Sequence, residues 1–141
     1  MMGLFSLPDT EKVLMIWPDR GIIKLAKISY PDLNARQKEN YNFMKVSAVL
    51  ADYGYNTVRL SDDYKGVDFL AIHREGDVVK VQLKPTLVFD KKYMGKELYV
   101  CFPKNGKWYL YPHDILLDRL SKASNFTNTP SWINGGLYSF R

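Results

Sequence analysis

Cysteine is almost missing from this chain of 141 residues: Cys101 stands alone. A single thiol forms no internal disulfide and excludes any cysteine-cluster zinc site. It sits in the apolar run Leu98-Tyr99-Val100-Cys101-Phe102, where a buried, inert thiol is expected. Histidine is nearly as scarce. His73 and His113 are the two present, too few with one cysteine for a zinc hydrolase. Apolar runs are short; Val13-Leu14-Met15-Ile16-Trp17 is far from bilayer-spanning length, so no membrane partner is expected. Gly135-Gly136 stands apart from any phosphate-loop pattern. There is no serine elbow, no internal repeat and no signal-like opening, which points to a cytoplasmic protein.

What is present describes a folded domain. Hydrophobic residues make up 46% and aromatics 14%, enough for a core of its own. The net charge of +5 is compatible with a polyanionic partner without demonstrating one.

Residues 1–31 read as an accessory segment. Leu7-Pro8-Asp9 and Trp17-Pro18-Asp19-Arg20-Gly21 are turn signals. The second lies between Lys12–Trp17 and Ile22–Ile28, which form either a hairpin or a strand followed by a short helix. Residues 32–120 read as the core domain and 121–141 as a tail packing on it, through Phe126, Trp132, Ile133, Leu137, Tyr138 and Phe140.

The core opens with a helix. Asn34 with Gln37 forms a capping box, and Asp32 is the competing cap. Phe43, Val46, Leu50 and Tyr53 repeat at helical spacing up to the terminator Gly54. Extending that stripe back four residues reaches Glu39, which aims a carboxylate along the buried face. Three strands follow, Tyr55–Leu60, Val67–His73 and Val78–Lys84, with a polar loop at Ser61–Gly66 and a tight turn at Arg74–Asp77. In the third strand Val79, Val81 and Leu83 alternate with Lys80, Gln82 and Lys84. A helical turn near Phe89–Tyr93, strands at Glu97–Phe102 and Lys107–Tyr111 about Asn105-Gly106, and a helix opened by Pro112-His113-Asp114 complete the order. His113-Asp114 reads as helix capping rather than a metal pair, and His73 as exposed. The class is α/β, a mixed sheet covered by helices.

Two strands carry the chemistry. Asp68 lies near the start of one, and Gln82-x-Lys84 ends its neighbour. Hydrolysis of a phosphodiester needs a metal to polarise the phosphate, a cation against the developing charge, and a held water. Hard divalent ions take carboxylate and amide oxygens, which Asp68 and Gln82 supply. Lys84 shares Gln82's face, and Glu39 would hold a water or add an outer charge. Lys91-Lys92-Tyr93 with Lys96 is the best candidate for a phosphate-tracking patch, with Lys80 beside it on the polar strand face.

With Asp68, Gln82-x-Lys84 and the preceding Glu39 in this order, the chain resembles the PD-(D/E)XK nuclease superfamily, which includes restriction enzymes, Holliday-junction resolvases and some homing endonucleases. The resemblance covers roughly residues 34–117. It implies a restriction-endonuclease-like αβββαβ core and Mg²⁺- or Mn²⁺-dependent cleavage of DNA. Catalysis would fall to Glu39, Asp68, Gln82 and Lys84, with the metal on Asp68 and Gln82. Gly66-Val67 stands where the family name has Pro, and Gln82 where the pattern has an acid. The amide removes one negative charge from the metal site and weakens binding. Nothing in the sequence separates DNA from RNA, and a homodimer would suit double-strand cutting. The alternatives are a nuclease-fold DNA-binding protein that does not cut, and a protein-interaction domain favoured by Trp17, Trp108 and Trp132.

Overall fold

The computed structural model describes residues 3–5, 14–17, 21–22 and 26–140. The chain divides into two compact units, one up to Lys38 and one from Glu39 onward. In the first, β1 (Gly3–Phe5), β2 (Leu14–Trp17) and β3 (Gly21–Ile22) pair antiparallel in the order β1-β2-β3. The Ile16↔Ile22 and Trp17↔Gly21 register selects the hairpin of the two expected arrangements. The Leu7-Pro8-Asp9 turn and the tip Pro18–Arg20 lie outside the described residues.

Helix α1 (Ala35–Asp52) begins with the capping box. Gln37 N donates to Asn34 Oδ1 at 2.9 Å and Asn34 N donates to Gln37 Oε1 at 3.0 Å, so Asn34 rather than Asp32 is the cap. The helix ends at Gly54, which takes φ +82° and donates its N–H to Ala51 O.

The second unit is built on a five-stranded mixed sheet with flanking helices. Its strands are β4 (Tyr55–Tyr64), β5 (Val67–His73), β6 (Val78–Leu83), β8 (Leu98–Lys104) and β9 (Lys107–Pro112), in the order β4-β5-β6-β8-β9. All neighbours are antiparallel except β6 and β8, which run parallel. The excursion between those two carries β7 (Val88–Asp90) and a 3-10 turn at Lys91–Tyr93, where the sequence reading expected a helical turn alone. β10 (Leu137–Ser139) pairs antiparallel with β7, and this extended partner holds Phe89 and its neighbours in strand geometry. Ser61–Tyr64, expected as loop, continues β4 through a register shift between Arg59 and Tyr64. A bulge lets polar residues stay in a strand while their pairing slips.

Each face of the sheet has its own cover. Val46 and Leu50 of α1 pack with Phe69, Ala71, Val81 and Cys101, and the Phe43 ring meets Phe69 edge-on at 5.3 Å. Tyr53, expected in that stripe, is 70% exposed; it follows Asp52, the last residue of α1, and donates its N–H to Leu50 O at 3.0 Å. Tyr93, Val67 and Leu98 form a smaller cluster with Leu60 and Leu70. α2 (His113–Ala123), α3 (Pro130–Gly135) and β10 pack with β7 around Phe89, Leu117, Phe126 and Trp132. Among the described residues no helix is long and apolar enough to cross a membrane.

Candidate active site

The site begins at a turn. Tyr64 pairs with Val67 across Lys65-Gly66, both of which adopt positive φ (53° and 86°), as a two-residue primed hairpin requires. Gly66 is also a point of close approach. A Cβ there would lie 2.5 Å from Tyr93 Cε1 and 3.3 Å from Gln82 Nε2. The glycine two residues before Asp68 therefore lets the Tyr93 ring and the Gln82 amide press against the backbone.

Asp68 stands where β5 and β6 part. Phe69↔Val81 and Ala71↔Val79 are paired, so continuing that register sets Asp68 opposite Gln82 and Val67 opposite Leu83. At that last step Leu83 N donates to the Asp68 carboxylate, Oδ2, at 2.7 Å. This charge-assisted bond orients the carboxylate.

Gln82 is 3% exposed, although polar alternation on a strand commonly marks a solvated face. Its Oε1 is buried and has no hydrogen-bond partner among the described residues. A buried acceptor left in this state costs about 1–3 kcal/mol. Asp68 and Gln82 together fit a hard divalent cation in donor chemistry, with one negative charge between them. Among the described residues no group of three or more His, Cys, Asp and Glu is placed to hold a metal. Lys84 continues the parallel ladder, its N–H donating to Cys101 O at 2.9 Å. Strand alternation sets it on Gln82's side, and its ammonium has no ion pair among the described residues.

Glu39 departs from the expectation of a buried carboxylate. It is exposed, on the helix whose packed residues cover the Phe69–Val81 face, opposite to Gln82. In the same turn, Asn40 and the Phe43 ring meet the Arg59 guanidinium. No hydrogen bond or ion pair among the described residues joins Glu39 to Gln82 or Lys84.

The four lysines of the expected phosphate patch differ in how they are held. Lys80 Nζ donates to Lys96 O at 2.8 Å and lies 3.8 Å from Glu97. Lys91 sets its ammonium 5.2 Å from the Trp132 ring centroid. Lys92 lies 3.4 Å from Asp90 and over the Tyr93 ring; Tyr93 and then Asp90 hold its pKa above the usual lysine value. The Lys96 ammonium has no hydrogen bond or ion pair among the described residues.

Tyr93 and His113 support the site, and sequence reasoning missed their part in it. The His113 side chain is fully buried; its Nε2 accepts the Asp90 N–H at 3.3 Å, and its Nδ1–H donates to Asp114 Oδ1 at 2.8 Å. Asp114 Oδ2 also accepts the Gly95 N–H at 2.8 Å. Pro112 occupies the N-cap of α2, so His113 ties the crossover to α2 instead of capping it. Its ring meets both Phe89 and Tyr93 edge-on. The nearest readable signal was Gly66, whose neighbour Tyr93 lies far along the chain. His73, expected exposed, is half-buried with its ring against Tyr55. Cys101 is buried, and burial pushes its thiol up to about 12, as an inert core cysteine requires.

No family model matches this chain, and no curated protein matches it. Among solved structures the chain is similar to a bacterial homing endonuclease, with 16% sequence identity, a TM-score of 0.45, and coverage of 60% of this chain and 69% of that one.

Proposed function

We propose that this chain is a divalent-metal-dependent endonuclease of the PD-(D/E)XK type, acting on DNA. The observation that carries the reading is the buried Gln82 Oε1, which has no hydrogen-bond partner among the described residues and which the Phe69↔Val81 register, continued by one step, sets opposite Asp68. A ligand that completes such an acceptor offsets its cost. Asp68 and Gln82 would hold Mg²⁺ or Mn²⁺, which when bound supplies a Lewis acid and lowers the pKa of a water. Leu83 N–H fixes the Asp68 carboxylate, and Gly66 with Tyr93 walls the Gln82 amide. Lys84 carries the cation that offsets charge on the phosphoryl oxygens. Glu39, exposed on the other cover, has no part in this proposal. Two copies would serve the two strands of a duplex.

The test is cleavage of plasmid and branched DNA by the purified protein in Mg²⁺, Mn²⁺ and EDTA. Metal-dependent cutting is expected, with its loss in Asp68→Ala and Lys84→Ala. Cutting unchanged in both variants overturns the site. A second reading has an observation of its own: among the described residues no group of three or more His, Cys, Asp and Glu is placed to hold a metal, which favours a nuclease-fold protein that binds DNA without cutting. It predicts salt-sensitive binding and intact DNA under both metals. The protein-interaction reading loses support, because Trp108 packs against the first core cluster and Trp132 lies inside the second.

A further inference from the structure

A cleft of about 350 Å³ opens beside the site, lined by Tyr64, Lys65, Val67, Lys80, Lys96 and Leu98, with Gly95 and Glu97 on its rim. A neighbouring hollow of about 320 Å³ shares Tyr64, Val67 and Lys80. Both are at the lower end of the size range of ligand pockets. Three lysines and one glutamate line the first cleft. Lys80 is already committed to Lys96 O and Glu97, so it acts as a strut between β6 and the far rim. Lys65 and Lys96 remain to meet an anion. The Lys65 ammonium lies 5.6 Å from the Tyr64 ring centroid, and Tyr64 is 61% exposed.

The rims are fixed by turn geometry. Lys65 and Glu97 both take φ 53°, and Gly66 and Gly95 take φ 86° and 72°. The Gly95 N–H is anchored to Asp114 on α2. The cleft adjoins the site. Val67 directly precedes Asp68, and Lys80 is two residues before Gln82 on the same side of β6, about 7 Å away.

We propose that this cleft binds the nucleotide next to the scissile phosphate, with its phosphate between Lys65 and Lys96 and its base on Tyr64. The proposal rests on reading Asp68, Gln82 and Lys84 as the hydrolytic site. An exposed aromatic ring beside a lysine, in a cleft lined by two more, suits a nucleic-acid strand, since every base offers a face for stacking and every phosphate a charge.

The experiment titrates a fluorescein-labelled oligothymidylate into the full chain in EDTA, where no metal-dependent cutting interferes. Tyr64→Ala is expected to weaken binding roughly ten-fold, and Tyr64→Phe to leave it within about two-fold. Lys65→Ala and Lys96→Ala should each flatten the salt slope by about 0.7. Circular dichroism of each variant excludes misfolding as the cause. Binding that none of these changes alters, equal losses in Tyr64→Phe and Tyr64→Ala, or no binding by the wild-type chain at low salt overturns the cleft. Plasmid cleavage in Mg²⁺ is scored separately. Cleavage with a cleft that fails leaves the hydrolytic reading intact, whereas oligonucleotide binding that depends on Tyr64, without cleavage, overturns hydrolysis alone.

Discussion

Asp68 Oδ2 accepts the main-chain N–H of Leu83 at 2.7 Å, at the step where a regular ladder would offer the Val67 carbonyl. One carboxylate thus ends a strand pairing and faces Gln82 across it. The two jobs separate by substitution. Asn keeps an acceptor for Leu83 but loses the charge, whereas Ala loses both. Asp68→Asn should unfold within about 1 kcal/mol of wild type, and Asp68→Ala should lose about 1–3 kcal/mol. DNA cleavage should vanish in both. Equal stability of the two variants in thermal unfolding would remove the ladder role.

At Gln82 stability and the proposed function pull apart. Gln82→Leu removes the orphaned oxygen from a buried position, so its melting temperature should be no lower than wild type while cleavage is lost. Gln82→Glu buries a second carboxylate opposite Asp68 and should melt lower in EDTA. Mg²⁺ or Mn²⁺ should then stabilise it more than it stabilises the wild type. Calorimetry with and without metal decides; a Gln82→Glu melting curve indifferent to both ions speaks against a cation at this place.

Gly66→Ala tests the close approach under Tyr93. The substitution meets a left-handed backbone and a ring atom 2.5 Å from the new methyl. Destabilisation of about 2–4 kcal/mol is expected. Adding Tyr93→Ala should relieve the clash but not the backbone strain, so the double variant should lose less than the sum of the single losses. Strict additivity in urea denaturation would show that the contact is not felt.

Asp114 gives a pH signature. Burial opposes its ionisation, but the hydrogen bonds from His113 and the Gly95 N–H outweigh that and hold its carboxyl below the ordinary 3.8. A folded-state pKa below the unfolded one adds stability that is complete above the unfolded value and lost as pH falls through the folded one. The melting gap between wild type and Asp114→Asn should therefore hold from about pH 7 to about pH 5 and close below about pH 4. A gap that widens on acidification contradicts the hydrogen-bond geometry.

Local chemistry made much of this fold legible. The Asn34–Gln37 box, the Gly54 stop and the Asn105-Gly106 turn depend on neighbours in sequence, and each stands where its residues indicate. The β5–β6 hairpin was legible too, because the Arg74–Asp77 turn fixes the register that pairs Phe69 with Val81. What stayed hidden depends on distant partners. Ser61–Tyr64 is polar and reads as loop until β5 pairs with it across a bulge. Gln82 is buried, and Gly66 and Tyr93, both distant from it in the chain, meet at the same close approach. Glu39 is exposed because helical period gives a direction but does not say whether another element stands there.

The parallel step between β6 and β8 has a kinetic meaning. The β4–β5–β6 meander closes through short turns, so it can zip early, whereas β8 must return from a long excursion before it reaches β6. Until then the Gln82 amide is open to solvent. Substitutions in the meander, such as Ala71→Gly, should slow refolding, while Val100→Ala should chiefly speed unfolding. The proposed site would then be the last part of the molecule to dry.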